Sequence, residues 1–164
     1  VSCDNGSPPY PAMPKRAPKT SRPTPDVLGW QECVSLPALG LRRFVAKIDT
    51  GATSCALHAE DIEFEGERVP FRVSLAGLRF RCVADIVDRK RIRSSSGHSE
   101  ERPVIETEVA LGPHRIAARI TLTDRTDMRL PMLLGRESIG GRFLVDPARK
   151  FVLTRKKKRK ATAS

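Results

Sequence analysis

Long apolar runs are missing from this 164-residue chain. No stretch approaches the roughly 18 consecutive apolar residues that a membrane-spanning helix needs. No signal-peptide pattern is visible, although the chain begins with Val and a signal already removed would leave no trace. We therefore expect a cytoplasmic protein without a membrane partner, and the removed signal stays open as the alternative.

Motifs for metal, redox and nucleotide binding are also missing. The four cysteines form no Cys-x-x-Cys pair: Cys3, Cys33, Cys55 and Cys82. The three histidines lie far apart and outside any His-Glu-x-x-His motif: His58, His98 and His114. No Gly-rich loop precedes a Lys-Ser or Lys-Thr pair, so the chain lacks a phosphate-binding loop. We expect no cofactor and no metal, and a zinc-dependent hydrolase is the least favoured alternative.

Cysteine usage favours a reducing compartment. Cys55 and Cys82 lie in apolar, strand-like contexts, where a free cysteine behaves as a small core residue. An oxidised pair stays open as the alternative.

Acidic residues are few relative to basic ones. Thirty Lys and Arg face 19 Asp and Glu, which gives a formal net charge of +11 and a pI near 10.2. Such a field attracts polyanions, which include nucleic acid, anionic membranes and acidic peptides. Residues 155–160 supply six of these positive charges without any interleaved aromatic residue, which predicts a solvated tail and argues against a nucleic-acid partner.

The composition divides the chain into three parts. Residues 1–26 contain seven prolines among Ser, Lys and Thr and predict a disordered lead-in. Residues 27–154 carry the apolar patterning of one folded domain, and residues 155–164 predict a disordered basic tail.

Short alternating segments separated by turn residues predict an all-β barrel or sandwich. One helical turn is expected over 137–140, and the polar residues 88–102 predict a long hairpin with a mobile tip. Pro147-Ala148-Arg149 indicates a hairpin between strands at 143–146 and 150–153. The other predicted strands span 41–48, 69–75, 78–87, 104–111 and 115–122, with a buried run ending at Gly135.

The chain is organised around residues 44–57, where an apolar run delivers Asp49 into Thr50 and Gly51. A carboxylate at the end of a buried strand is costly unless it is paired or used. Glycine two residues later allows a sharp turn and leaves room beside that carboxylate. The alternative is an Asp that only hydrogen-bonds its own turn.

Two motifs together resemble retropepsin-like aspartic proteases. They are Ile48-Asp49-Thr50-Gly51-Ala52 and, some 80 residues later, Leu133-Leu134-Gly135-Arg136, with a Ser/Gly-rich hairpin between them. The resemblance implies a closed retropepsin-like (acid protease) β-barrel with one short C-terminal helical turn. It also implies a catalytic Asp-Thr-Gly loop and a hairpin flap over the substrate.

The flanking residues narrow the resemblance to one bacterial subgroup. The matching segments are 28–32, 46–54, 57–59, 93–97, 102–104, 122–125 and 132–136. This subgroup is labelled ATP-dependent zinc protease and is associated with glutamate ligases of the ribosomal-protein-modifying (RimK) type. The residues themselves support neither the zinc nor the ATP of that label.

The implied chemistry needs two carboxylates that share one proton, one to activate water and one to donate to the developing oxyanion. The chain has one Asp-Thr-Gly, so a two-fold homodimer would supply the second Asp49. Thr50 would brace the two loops and Gly51 would let the partner and substrate approach.

Further residues are predicted to contact a peptide substrate: Ala52, Ser95, Ser96, Gly97, Arg125 and Arg136. For the two arginines, a structural ion pair is the alternative to binding a substrate carboxylate. The basic hairpin base and the ligase association predict an acidic, Glu-rich peptide. A noncatalytic module that binds acidic tails is the rival function.

Overall fold

The computed structural model describes residues 24–93, 99–125 and 129–154. In chain order its elements are β1 Asp26–Gly29, β2 Gln31–Leu36, a 3-10 turn Pro37–Leu39, β3 Leu41–Ile48, β4 Cys55–His58, β5 Arg68–Leu75, β6 Leu78–Arg93, β7 Ser99–Leu111, β8 His114–Thr123, β9 Met132–Leu134, α1 Arg136–Ile139 and β10 Phe143–Asp146. Residues 1–23 and 155–164, where disorder is predicted, lie outside the described residues, so the division into three parts stays a prediction.

Six strands close into a barrel in the order β2, β3, β9, β4, β8 and β7. Closure comes from β7 pairing with β2 through Val34 opposite Leu111 and Ser35 opposite Ala110. The β3–β9 and β4–β8 pairs are parallel, and β4 runs antiparallel to β9. The predicted closed all-β barrel with one short helix is confirmed.

Alternation along the strands fills the barrel. In β2 every second side chain is buried, which is the period expected when one face of a strand meets the core. The largest fully buried side chains come from most of the barrel strands and include Leu36, Leu57, Ile105, Leu111, Leu122, Met132 and Leu134. The thiols of Cys55 and Cys82 are buried as predicted, and the described cysteines are free.

Two hairpins extend from the barrel. The predicted turn at 76–77 joins β5 to β6, and both of its residues have the positive φ that this turn requires. The polar hairpin at 88–102 is largely strand, because β6 continues to Arg93 and β7 starts at Ser99. An Arg89–Glu101 ion pair of 3.1 Å links the two strands there. The predicted mobile tip, residues 94–98, lies outside the described residues.

The predicted C-terminal hairpin is wrong. β10 forms as expected, but it pairs in parallel with β1 in a separate two-stranded sheet. Residues 150–153 form bends instead of a strand. Their backbone N–H groups are used elsewhere, since Phe151 donates to the Gln31 carbonyl, and Val152 and Leu153 donate to the Glu32 carboxylate.

Candidate active site

Asp49 follows the buried end of β3. Ile48 is buried and pairs with Leu134 of β9, and the Asp49 N–H donates to the Leu134 carbonyl at 2.9 Å. Because β3 and β9 are parallel, both motifs end at the same edge of the barrel. The structure thus brings the Asp-Thr-Gly and Leu-Leu-Gly-Arg segments together, although they are far apart in sequence.

The Asp49 carboxylate is held from two sides. Its Oδ1 accepts the N–H groups of Gly51 at 3.0 Å and Ala52 at 3.2 Å. Its Oδ2 accepts the Lys47 ammonium at 2.9 Å, and 23% of the Asp49 side chain stays exposed. The carboxylate therefore hydrogen-bonds its own turn, as the Asx-turn interpretation predicts. That interpretation does not account for the exposed part of the Asp49 side chain.

Lys47 controls the charge of this carboxylate. Its hydrogen bond is the largest cause of a lowered pKa at Asp49, and its positive charge lowers that pKa further. The N–H groups of Gly51 and Ala52 act in the same direction, while partial burial opposes them. In this single chain Asp49 is therefore an ionised carboxylate at neutral pH.

Two glycines let the motifs approach. A Cβ on Gly51 would lie 3.2 Å from Asp49 Oδ1, so glycine at this position provides space for the carboxylate. A Cβ on Gly135 would lie 2.5 Å from the Ser54 carbonyl oxygen, a distance that real Cβ contacts do not reach. Glycine at 135 is required because the end of β9 packs directly on the loop after Asp49.

The start of α1 fastens that loop. The N–H groups of Arg136 and Glu137 donate to the carbonyls of Ala52 at 2.9 Å and Thr53 at 3.1 Å. These are helix N-terminal donors that lack partners within the helix. The Arg136 guanidinium donates to the carbonyls of Thr50 and Gly51 and to the Thr53 hydroxyl. Arg136 thus braces the loop through hydrogen bonds instead of the ion pair considered as the alternative, and its predicted substrate contact stays a prediction.

A groove of about 690 Å³ opens beside Asp49. Among the described residues that line it, Asp49 is the one acidic residue, against four basic ones: Lys47, Arg125, Arg129 and Lys150. Gln31 and four apolar residues complete the described lining, the apolar ones being Trp30, Leu130, Met132 and Leu133. The groove combines an apolar floor with a positively charged rim, which is a surface suited to an anionic chain.

Arg125, for which substrate binding and a structural ion pair are the two predicted roles, lines the groove together with Asp49. Its backbone N–H donates to Nδ1 of His58 at 3.0 Å, so that ring nitrogen is an acceptor. The other ring nitrogen lies 4.0 Å from the Glu60 carboxylate. Across the described ranges no group of three or more His, Cys, Asp or Glu side chains is placed to hold a metal ion. His98 lies outside those ranges.

The β6–β7 hairpin reaches the same loop. Lys90 of β6 donates from Nζ to the Ser54 hydroxyl at 2.9 Å. Ala52 is half-buried and donates its N–H to Asp49 Oδ1. The other predicted substrate contacts on the hairpin, Ser95, Ser96 and Gly97, lie outside the described residues, and their role stays a prediction.

Sequence reasoning missed several groove residues. Lys47 lies two positions before Asp49, and the period of two along a strand was a signal that both side chains share a face. Trp30 and Lys150 are 120 residues apart, yet the Lys150 ammonium lies 4.5 Å from the centre of the Trp30 ring. Arg129 lies in a segment without a recognisable pattern. Such long-range contacts depend on the closed fold and leave no local signal.

None of the helices in the described part of the chain is long and apolar enough to cross a membrane.

Comparisons with known proteins bear on this site. The curated relatives include three proteins named "Probable alpha-L-glutamate ligase". The one from Shewanella pealeana is 38% identical over 138 residues, which cover 79% of this chain and 30% of the relative. Those from Desulfotalea psychrophila and Parasynechococcus marenigrum are 34% and 36% identical, each over 74% of this chain and 28% of the relative. The chain therefore spans under a third of the length of these relatives.

A solved structure shares the fold. The crystal structure of a Legionella pneumophila protein with unknown function (DUF785) has a TM-score of 0.67 and 29% sequence identity. The match covers 78% of this chain and 98% of that one.

The family model described as "Retropepsin-like aspartic endopeptidase RimB" matches residues 27–156, which include both motifs and every lining residue of the groove. The chain belongs to the RimB-like family of retropepsin-like aspartic endopeptidases.

Proposed function

We propose that the protein is an aspartic endopeptidase that hydrolyses acidic peptides, with Asp49 as its catalytic carboxylate. The observation that carries the proposal is the half-open state of that carboxylate. One oxygen is fixed by two N–H groups of its own loop, while the side chain keeps 23% of its surface exposed beside the groove. If the carboxylate only stabilised its own turn, nothing would require it to border an open groove.

A second copy of the chain completes the site in this proposal. One Asp-Thr-Gly gives one carboxylate, and a two-fold axis beside the loop would place the partner's copy of Asp49 opposite. Thr50 supports this arrangement, because it is exposed and its hydroxyl has no hydrogen-bond partner among the described residues. A threonine in that state can reach the same loop of a second copy.

The proposed reaction uses the two carboxylates in opposite protonation states. The ionised one removes a proton from a water molecule as it attacks the peptide carbonyl. The protonated one donates to the developing oxyanion, which gives a tetrahedral species. The first carboxylate then returns the proton taken from water to the leaving nitrogen as the C–N bond breaks, and the second takes back a hydroxyl proton as the new carboxyl group forms. The apparent pKa values belong to the pair, so the lowered pKa of one isolated Asp49 describes the single chain.

The groove favours an acidic substrate. Among its described lining residues, four basic side chains stand against one carboxylate, and together they would attract and hold a chain of negative charges. The relatives named as glutamate ligases support the same class, since adding glutamates to a protein creates an acidic peptide. We propose that a Glu-rich tail of this kind is the substrate and that the reaction takes place in the cytoplasm.

The β6–β7 hairpin would act as the flap. The Lys90–Ser54 hydrogen bond of 2.9 Å places the hairpin against the loop that follows Asp49. A hairpin anchored there can cover a peptide lying in the groove and exclude water from the reacting bond.

The test compares Asp49→Asn with the wild type on an oligoglutamate peptide and on a neutral peptide of equal length. We expect kcat/KM on the acidic peptide to fall by at least about a hundredfold, because general acid–base catalysis contributes about 10²–10⁴. Asp85→Asn is the matched control, since Asp85 is exposed and pairs only loosely with Arg68 at 3.8 Å. Cleavage by Asp49→Asn at the rate of that control would refute the proposal.

A noncatalytic acidic-tail binder is the second candidate, and the Lys47–Asp49 bond favours it. Two ionised carboxylates cannot share a proton, and Lys47 keeps Asp49 ionised in the single chain. If this candidate is correct, the wild type binds the oligoglutamate peptide without cleaving it and sediments as a monomer. Cleavage together with a dimer in sedimentation velocity would exclude it.

A further inference from the structure

Glu32 is a fully buried carboxylate that the proposed chemistry does not use. It lies on β2, its side chain is inaccessible to solvent, and no described cation forms an ion pair with it. A buried charge without a counter-ion is stable only when hydrogen-bond donors saturate it. The environment of Glu32 shows which donors do so.

The donors come from two places that are far apart in sequence. Oε1 accepts the N–H groups of Gly29 at 2.7 Å, Val152 at 2.9 Å and Leu153 at 3.1 Å. Oε2 accepts the Thr154 N–H at 3.0 Å and the Thr154 hydroxyl. That hydroxyl in turn accepts the Cys33 N–H at 2.9 Å. One carboxylate therefore joins the turn between β1 and β2 to residues 152–154.

The joined segments form one wall of the groove. The Trp30 N–H donates to the Arg149 carbonyl at 2.9 Å, and a Cβ on Gly29 would lie only 2.5 Å from the same carbonyl oxygen. Lys150 is thereby set with its ammonium 4.5 Å from the centre of the Trp30 ring, and both residues line the groove with Asp49. An ammonium over an aromatic face is held by the ring's negative potential.

We infer that Glu32 is a positioning residue, which ties the C-terminal segment 149–154 to the barrel and so fixes Lys150 over Trp30 as a cationic rim of the groove. The inference rests on the proposed function for its consequence, which is the affinity for an acidic peptide. Glu32 does not approach the reacting groups, so it acts on substrate binding and leaves the chemical step alone.

The experiment uses Glu32→Gln in the full chain. The amide keeps the shape of the side chain but turns one acceptor into a donor, which opposes the Thr154 N–H. Thr154→Val is the gentler second variant, because it keeps the carboxylate and removes only the hydroxyl link. Glu106→Gln, at an exposed position on β7, is the matched control.

Two measurements test the link between Glu32 and residues 149–154 without an activity assay. Trp30 is the only tryptophan of the chain, so the emission spectrum reports the wall directly. We expect both test variants to shift that emission and to be cut by trypsin after Lys150 faster than the control, by about tenfold for Glu32→Gln, because local opening governs such cleavage. Emission and cleavage equal to those of Glu106→Gln would overturn the inference.

A third readout tests the consequence. We expect Glu32→Gln to raise KM for the oligoglutamate peptide by about five- to tenfold with kcat within about twofold, the pattern for lost binding common to ground and transition states. Lys150→Gln should raise KM similarly, and the double variant should do no more than the stronger single one. A fall in kcat at unchanged KM, or additive KM effects, would refute the positioning role. If the wild type cleaves no peptide, the proposed function fails. The first two readouts still test whether Glu32 holds residues 149–154 in place.

Discussion

Two carboxylates on neighbouring strands of one barrel stand in opposite environments. Glu32 on β2 is fully buried, and groups of its own chain occupy both of its oxygens. Asp49 at the end of β3 also accepts two backbone N–H groups, but these bind one oxygen only. Its other oxygen accepts a hydrogen bond from the ammonium of Lys47, a half-exposed lysine beside an open groove.

The difference separates a structural carboxylate from a candidate catalytic one. Donors of the same chain on both oxygens, four backbone N–H groups and the Thr154 hydroxyl, leave no site for a water molecule or a substrate, so Glu32 can only hold the fold together. An oxygen held by a flexible ammonium can exchange that partner for another. Burial and saturation therefore distinguish the two roles better than the residue type or the neighbouring sequence.

The largest expected effect is a difference in stability between variants of the two carboxylates. Glu32→Ala should lower the free energy of unfolding by at least about 3 kcal/mol, because each buried donor left unpaired costs about 1–3 kcal/mol. Asp49→Ala should change it by less than about 1 kcal/mol, as expected where the lost partners can turn to water. Urea denaturation of both variants measures this difference. Equal losses of stability would contradict the comparison.

A smaller effect is expected from the charge beside Asp49. The Lys47 hydrogen bond is the main cause of the lowered pKa of Asp49, so Lys47→Gln should raise that pKa. In the proposed mechanism the base is the ionised form of Asp49, and the acid limb of the kcat/KM profile should therefore move to higher pH. A pH–rate profile on the oligoglutamate peptide measures this shift, and an unmoved or downward-moved acid limb would show that Lys47 does not control the site.

The Lys47–Asp49 ion pair also makes the stability of the fold depend on pH. Because the folded-state pKa of Asp49 lies below its ordinary value of 3.8, the pair contributes stability above pH 3.8. That contribution is lost as the pH falls through the lower folded-state value. Lys47→Gln should therefore reduce stability at neutral pH and make less difference in strong acid.

Much of the fold could be predicted from the sequence because its determinants are local. Alternating side chains and turn residues gave β3, β5, β8 and the short helix after Gly135. The two motifs are associated through their resemblance to retropepsin-like proteases, and the parallel β3–β9 contact places both at one edge of the barrel. The structure explains why residue 135 is glycine, since any side chain there would collide with the Ser54 carbonyl.

The errors and omissions have a common physical cause, which is pairing over long distances in sequence. Residues 150–153 have the composition of a strand, yet the Glu32 carboxylate, about 120 positions away, accepts the N–H groups of Val152 and Leu153. The Lys150–Trp30 contact depends on that same tie. Pattern reading finds elements by their own periodicity and cannot show that a distant buried side chain competes for their backbone.

The most direct test of the two-chain site mixes wild-type protein with Asp49→Asn protein under conditions that exchange subunits, at fixed total concentration. If both carboxylates are needed, only pairs of wild-type chains are active. Cleavage of the oligoglutamate peptide should then fall as the square of the wild-type fraction, while mixing with Asp85→Asn protein should leave the rate unchanged. A rate that falls only in linear proportion to the wild-type fraction would mean that each chain acts alone and would contradict a site shared between two copies of Asp49.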